Sequence, residues 1–338
     1  MTNLFRKAAV FTDLHLGEKG NSHQFLADCE RYMTWFIDLV RAEDCDIILF
    51  LGDFHHHRNS ININTMNVSL RILEKLDSIG LPVMFIPGNH DLYHKDKRTL
   101  TSIRYMNQFK NFNLIMDTVV IDDVAFVPWL MTEEHKSMQK LKAKYVMGHF
   151  ELPGYLMNSM VEMPDHGSEV RADDFKNVDR VFTGHFHKRQ TKGNISYIGN
   201  AFPHNYADAW DDARGAMILE WGKDPVYHDW KEGPKYKTMG LARLIDEADT
   251  LLDERTYARI TLDLPISYEE ATFIKETMLG QYGPRDLTLI PVKQQLDMEG
   301  VAIDSSFETV DQIVLNQITA IDSDHYDKRL LMDIYNNL

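Results

Sequence analysis

Five short segments of the chain gather the side chains that could do chemistry: Asp13-Leu14-His15, Gly52-Asp53, Gly88-Asn89-His90-Asp91, Gly148-His149 and Gly184-His185-Phe186-His187. They supply two Asp, one Asn and four His as candidate metal ligands: Asp13, Asp53, Asn89, His15, His149, His185 and His187. Oxygen and nitrogen donors without a thiolate suit Mn, Fe or Zn. Asp13 and His15, at i and i+2, converge on one ion if the chain leaves its strand there. Asp53 is a natural bridge, because each of its oxygens can face a different cation. Asn89 offers a neutral amide oxygen, and His149, His185 and His187 complete the shells. Two cations a few Å apart lower the pKa of a water and clamp a phosphate, which is what phosphodiester cleavage requires. His90, beside Asn89, is the extra polar group, suited to a hydrogen bond to the transition state or to protonation of the leaving oxygen.

These segments need strands to hold them. The runs 7–13, 45–53, 82–87, 144–148 and 179–184 are rich in Val, Ile, Phe and Leu and lead into the five segments. Short continuous apolar runs fit strands buried on both faces. Between them, 22–42 carries Phe25, Leu26, Cys29, Tyr32, Met33, Phe36, Leu39 and Val40 at helical spacing, and 61–79 carries Leu70, Ile72, Leu73 and Leu76. Gly80 and Pro82 form a conventional helix stop. The alternation predicts α/β layering. A hairpin is expected at 119–121 and 124–127 around Asp122-Asp123, and further strands at 195–199 and 215–221 around the loop 200–214. The expected outcome is a sheet sandwich with outer helices, its loops gathered where strand C-termini converge. Residues 222–237 read as loop. A second unit begins after about residue 250, with a strand at 257–264, a helix at 268–279 and a strand at 286–292. Two helical stretches follow, 306–321 and 325–336, the first capped at Ser305 or Ser306 and striped by Phe307, Val310, Ile313, Val314 and Ile318. The expected domains are 1–235 for the chemistry, 250–300 as a small α+β cap, and 305–338 as a helical partner-binding segment.

The 44% apolar content of the 338 residues is ample for a core, and the formal charge is −15. A protein that grips nucleic acid alone usually shows a basic face, because neutralised phosphates supply most non-specific affinity. An acidic chain therefore implies a small substrate, locally concentrated basic residues, or a partner that supplies the grip. Cys29 and Cys45 make no disulfide framework and no zinc ribbon, which fits a reducing compartment. The apolar run after Arg6-Lys7 is too short for a signal peptide, and no stretch has the length of a membrane span. A soluble cytoplasmic protein is expected.

On these five segments the sequence resembles the calcineurin-like metallophosphoesterase superfamily, over roughly residues 8–221. Within it, the chain is most similar to the SbcD-type nucleases of DNA break repair, particularly bacteriophage recombination-nuclease subunits. The narrower resemblance rests on Gly52-Asp53-Phe54-His55-His56-His57-Arg58, on Tyr197-Ile198-Gly199-Asn200-Ala201 after the Gly-His-Phe-His segment, and on a long C-terminal extension. Asn200-Ala201 stands where that family often has Ser-Pro. The resemblance implies a four-layer α/β/β/α sandwich with a small cap. It implies two Mn²⁺ ions, with Mg²⁺ or another divalent ion as substitutes, on Asp13, His15, Asp53, Asn89, His149, His185 and His187. It also implies that His90 is the catalytic histidine, with a second histidine downstream of Asp53. His55, His56 and His57 compete for that slot; counting three positions from Asp53 selects His56.

Basic residues cluster beside these segments: Lys95, Lys97 and Arg98 after the Gly-Asn-His segment, and Lys188 and Arg189 after Gly-His-Phe-His. With Arg58, they are the candidates for DNA contact, where phosphates would be positioned without being read; a solvated loop of mixed charge is the bland alternative. The resemblance implies an SMC-like ABC ATPase partner of the SbcC type, docked on the C-terminal helices, and a homodimer. The expected function is thus a Mn²⁺-dependent DNA nuclease, exonuclease on duplex ends and endonuclease on single strands. A small-substrate phosphodiesterase or phosphatase is the rival that the acidic charge favours. A non-catalytic scaffold has no need of seven metal ligands.

Overall fold

Alternation along the first strand, Lys7–Phe11, sets the layers. Ala9 and Phe11 pack outward against helices, whereas Ala8 and Val10 pack inward against a second sheet. The same division runs through Ile47–Phe50, with Ile48 and Phe50 outward and Ile47 and Leu49 inward. These strands are buried on both faces, which is why they read as unbroken apolar runs. The computed structural model describes residues 3–157, 161–167 and 170–291.

Two six-stranded sheets form the sandwich. The first runs in the order Val226–Asp229, Gly215–Glu220, Lys7–Phe11, Ile47–Phe50, Val83–Phe85, Phe112–Leu114. Its last four strands are mutually parallel, and Gly215–Glu220 joins Lys7–Phe11 antiparallel. The second runs Gln190–Lys192, Ile195–Tyr197, Val178–Gly184, Ala143–His149, Val124–Val127, Val119–Ile121, with antiparallel hairpins at both edges. Helices His23–Ala42 and Ile63–Asp77 cover the first sheet. Ser22 Oγ caps the first by accepting from Phe25 N at 3.2 Å, and Asn62 caps the second through Asn64 N at 2.8 Å. The outer face of the second sheet is covered by the 3₁₀ segments Thr132–Lys140 and Ala172–Phe175 and their connecting loops.

The chain divides into two compact units, Met1–Lys237 and a second from Thr238 onward. In the second, helix Leu241–Leu251 precedes strand Thr256–Leu262, helix Tyr268–Tyr282 and strand Asp286–Pro291, the two strands pairing parallel. Two readings of the sequence need correction. Residues 222–237, expected as loop, contain the edge strand Val226–Asp229 and the start of strand Lys235–Gly240. Both are short and interleaved with charged residues, so neither shows an apolar run. Helix Leu241–Leu251 was not expected, although Leu241, Leu244, Ala248 and Leu251 form its buried stripe. The helices expected at 306–321 and 325–336 lie outside the described residues, as does the whole segment 305–338 assigned to a partner.

Fully buried Phe50 packs against Phe11, Phe54 and Phe85, with ring centroids 4.7, 5.9 and 4.2 Å away. Phe50→Ala should cost about 3–5 kcal/mol, a large share of a typical domain's stability. Denaturant unfolding should show a lower midpoint at unchanged slope; a loss below about 1 kcal/mol would mean that the core collapses freely around the deletion.

Candidate metal centre

Every ligand segment begins where a strand ends. Asp13 follows Lys7–Phe11, Asp53 follows Ile47–Phe50, Asn89 follows Val83–Phe85, His149 ends Ala143–His149 and His185 follows Val178–Gly184. To turn back over the strand ends, the backbone enters the left-handed region at Asp13 (φ 51°), His15 (φ 49°), Asp53 (φ 62°) and His185 (φ 90°). Such conformations cost energy for residues with a Cβ and persist only where surrounding structure enforces them. Here the enforcement is a ladder between the first two segments: Asp13 N donates to Gly52 O at 2.9 Å, His15 N to Asp53 O at 3.1 Å and Leu16 N to Phe54 O at 2.8 Å. Gly88 makes room for them, since a Cβ there would lie 2.6 Å from Asp53 N and 2.7 Å from His149 Cε1.

Asp91 holds the second and third segments together. Its Oδ2 accepts from Asp53 N at 2.8 Å and Gly88 N at 3.0 Å, and its Oδ1 from Phe54 N at 3.0 Å and His55 N at 3.2 Å. Burial, with Asp53 close by, pushes its carboxyl up to about 7. The sequence placed Asp91 inside the Gly-Asn-His-Asp quartet but gave no sign of this structural task.

The seven predicted ligands come together in two groups. Asp13, His15 and His187 place one donor atom each within 4.8 Å of one another, and so do Asp53, His149 and His185. Asp53 lies between them: its Oδ2 is 3.6 Å from His15 Nε2 and 3.4 Å from His149 Nε2. Asn89 Oδ1 joins the second group, 3.2 Å from His149 Nε2 and 2.9 Å from His185 Nδ1. The outer ring atoms are tied where it matters: His149 Nδ1 is 2.7 Å from Leu51 O, which fixes Nε2 as the inward nitrogen. In the first group, His187 Nε2 and His15 Nε2 face each other at 3.3 Å.

This donor set fits divalent cations. Burial raises the cost of charge on Asp53 and Asp13, yet the neighbouring imidazoles keep both ionised, Asp53 well below the usual carboxylate range and Asp13 at about 2. Burial likewise works against charge on His15 and His149, but the carboxylates Asp13 and Asp53 overcome it and hold each at about 9. Two buried carboxylates thus draw positive charge into the cluster, and protons supply it where cations do not.

His90 sits beside the first group. Its backbone N–H donates to Asp53 Oδ1 at 2.8 Å, and its ring Nδ1 is 2.6 Å from His56 O. Burial lowers its imidazole pKa. Of the three competing histidines, His56 faces the centre, with Nδ1 3.4 Å from His15 Nδ1, and burial brings it down to about 4. His55 turns into the core between Ser69 and Ser102, at 3.0 and 3.1 Å, and His57 packs on His56. The basic candidates are dispersed. Arg58 Nε donates to Leu92 O at 2.9 Å, and Lys95 and Lys97 are exposed on the hairpin formed by Leu92–His94 and Lys97–Thr101. Arg98 is paired with Glu134 and Asp117, Lys188 with Asp211 at 3.2 Å, and Arg189 with Asp229 at 2.7 Å. Sequence reasoning missed His204, whose buried ring packs on His15 and His187 at 5.5 and 5.2 Å, with Nδ1 3.0 Å from Glu18 Oε2. No spacing signal marked it, because it reaches the centre from the loop before Gly215–Glu220.

Because protons on His15 and His149 compete with cations, Mn²⁺ affinity should rise between pH 7 and 9. Each displaced proton contributes up to about tenfold per pH unit below its pKa. Calorimetry in buffers of different ionisation enthalpy would count the protons released; affinity flat across this range would contradict the electrostatics of the cluster.

A family model described as Calcineurin-like phosphoesterase matches residues 6–189, more than half of the chain. Exonuclease subunit 1 of Enterobacteria phage T4 is 29% identical over 219 residues, 62% of each protein. The SbcD component of the SbcCD nuclease from Staphylococcus saprophyticus is 22% identical over 246 residues, 62% of this chain and 64% of that one. The chain therefore spans less than two thirds of the length of these curated relatives. Among solved structures, Pseudomonas putida nuclease MPE is similar over 62% of this chain and 82% of its own, with 16% identity and a TM-score of 0.33. A dimetal phosphatase from Danio rerio is similar over 63% and 91%, with 12% identity and a TM-score of 0.37. On the family match and the strand-end cluster that it spans in large part, the chain belongs to the calcineurin-like phosphoesterase family.

Proposed function

We propose that the chain is a Mn²⁺-dependent DNA nuclease, the catalytic subunit of an ATPase–nuclease complex of the SbcC/SbcD type. The observation that carries a phosphodiesterase is the position of Asp53 between two donor groups, with the backbone amide of His90 hydrogen-bonded to it. Two divalent cations in such a cage would activate a water at neutral pH and offset charge on the phosphoryl oxygens. Asp13, His15 and His187 would hold one, and Asn89, His149 and His185 the other, with Asp53 shared. The protein's own contribution is order: the left-handed backbone turns, the carboxylate of Asp91 and the Leu51 carbonyl fix each ligand before substrate arrives. His90 is oriented by its Nδ1 contact with His56 O, which leaves Nε2 as the atom that can exchange a proton with the leaving oxygen. His56, lowered by burial, is neutral and suited to support His15 rather than to carry charge.

The nuclease reading is supported by similarity to an exonuclease subunit and an SbcD nuclease component. The resemblance of the sequence to SbcD-type nucleases carries two further parts of the proposal, an SbcC-type ATPase docked on 305–338 and a homodimer. Among the described residues, no helix is long and apolar enough to cross a membrane. The engagement of Arg98, Lys188 and Arg189 by protein carboxylates favours the second reading, a small-substrate phosphodiesterase, because it removes phosphate-binding charge from the site.

With Mn²⁺, linear duplex DNA and a small phosphodiester assayed in parallel, DNA should be degraded. Asp53→Ala should abolish the activity. His90→Ala should lower kcat by about 10²–10⁴ while metal content is retained. Turnover of the ester with DNA intact, with and without the ATPase, would replace the nuclease by the second reading.

A further inference from the structure

Trp210 is a partly exposed aromatic for which the mechanism has no use, on the loop whose Asp208 and Asp211 bond to His204 and Lys188 near the metal centre. Its residue is 40% exposed, and its backbone sits in the left-handed region at φ 65°, which a bulky side chain adopts only under constraint. The constraint is visible. Trp210 N donates to Tyr236 O at 3.0 Å, and Lys237 Nζ lies 4.2 Å from the indole centroid while also 3.5 Å from Asp212. On the following side, Asp211 binds Arg214, whose buried guanidinium also reaches Asn200 Oδ1 at 2.6 Å and Asp208 at 3.4 Å. This is a rigid mount, secured through a fully buried cation, for a side chain that contributes little to the core.

The mount is joined to the metal centre at several points. Asp211 holds Lys188, the residue after His187, at 3.2 Å. Asp208 Oδ2 accepts from the backbone N–H of His204 at 2.9 Å, and the His204 ring packs on His15 and His187. Asn205 Nδ2 donates to Glu18 at 3.2 Å. Tyr236, under the mount, touches Lys19 and packs on Tyr206 at 5.1 Å. The loop that carries Trp210 thus packs on Tyr236 and reaches, through Asp208 and Asp211, the residues His204 and Lys188 beside the candidate ligands.

Charge says what such a loop can bind. Lys188, Arg189, Lys237 and Arg98 each face a carboxylate, at 3.2 Å for Asp211, 2.7 Å for Asp229, 3.5 Å for Asp212 and 3.5 Å for Asp117. The chain as a whole carries −15. Phosphate neutralisation is accordingly a weak handle at this loop, and a nucleic-acid strand crossing it needs contacts that do not depend on net charge. Stacking on an aromatic face is such a contact and is tolerant of sequence.

We infer that Trp210 is a stacking platform for an unpaired base of the substrate strand, on the side of the metal centre formed by the loop before Gly215–Glu220. The inference rests on the nuclease reading and adds to it a single-stranded segment leading from the metal centre, gripped by stacking more than by charge.

The test uses the full chain with Mn²⁺, a short single-stranded oligothymidylate and bis(p-nitrophenyl) phosphate. Trp210→Ala should lower the ratio of kcat/KM on the oligonucleotide to that on the ester by about tenfold or more. The loss should fall on KM, and the slope of log KM against log salt should not change, since no phosphate contact is removed. Trp210→Phe should recover most of the ratio, and Trp210→Leu, which keeps bulk without a π face, should not. Melting temperatures of the three variants establish that each is folded, so failure of one leaves the Phe–Leu contrast to decide. An unchanged ratio in Trp210→Ala, equal loss on both substrates, or rescue by Leu as complete as by Phe would overturn the stacking role. A wild-type chain that leaves the oligonucleotide intact would instead overturn the nuclease reading itself, and this inference with it.

Discussion

The arrangement depends on two carboxylates, Asp13 and Asp53, buried in one small volume. Like charges removed from water are costly, and each must be compensated close by. The imidazoles of His15, His149, His185 and His187 and the amide of Asn89 cannot compensate them as neutral groups. His15 and His149 do so by taking up protons, and the whole donor set would do so by sharing cations with the carboxylates. The rest of the first unit is legible as what it takes to hold this concentration of donors in place. Parallel strands from two sheets deliver their C-terminal ends to one rim, left-handed turns point ligands back over the rim, and Gly88 lets the segments approach. Asp91 then ties down four backbone amides that would otherwise be buried without partners.

The candidate ligands were readable in the sequence because chemistry limits which residue types can serve and because each follows a strongly apolar run. Seven predicted ligands meet at one place for that reason. His56 could be chosen over His55 and His57 only by counting from Asp53, and the fold supplies the physical reason: His55 is swallowed by the core between two serines. What the sequence concealed is of another kind. Asp91, His204 and Arg214 act through position in space, and nothing in their neighbours along the chain announces a buried carboxylate clamp, a ring against two ligands or a guanidinium mount. The edge strand Val226–Asp229 was hidden because an edge strand need not be apolar. Helix Leu241–Leu251 did carry its stripe, and was overlooked beside the glycines and prolines that precede it.

Basic residues beside the ligands look in the sequence like a grip for phosphate. In the folded chain Arg98, Lys188 and Arg189 are committed to carboxylates, so local composition overstated the positive charge on offer. This resolves how an acidic chain can carry basic clusters at its active rim: they organise loops. In the proposed function, substrate affinity would then come from the cations, from aromatic surface such as Trp210 and from an ATPase partner.

The central claim is that Asp53 joins two cations into one centre. Mn²⁺ titration followed by electron paramagnetic resonance tests it most directly. Two Mn²⁺ per chain with the multiline spectrum of an exchange-coupled pair, reduced to uncoupled Mn²⁺ signals in Asp53→Ala, is the predicted result. A single Mn²⁺ per chain, or two that never couple in the wild-type protein, would contradict it.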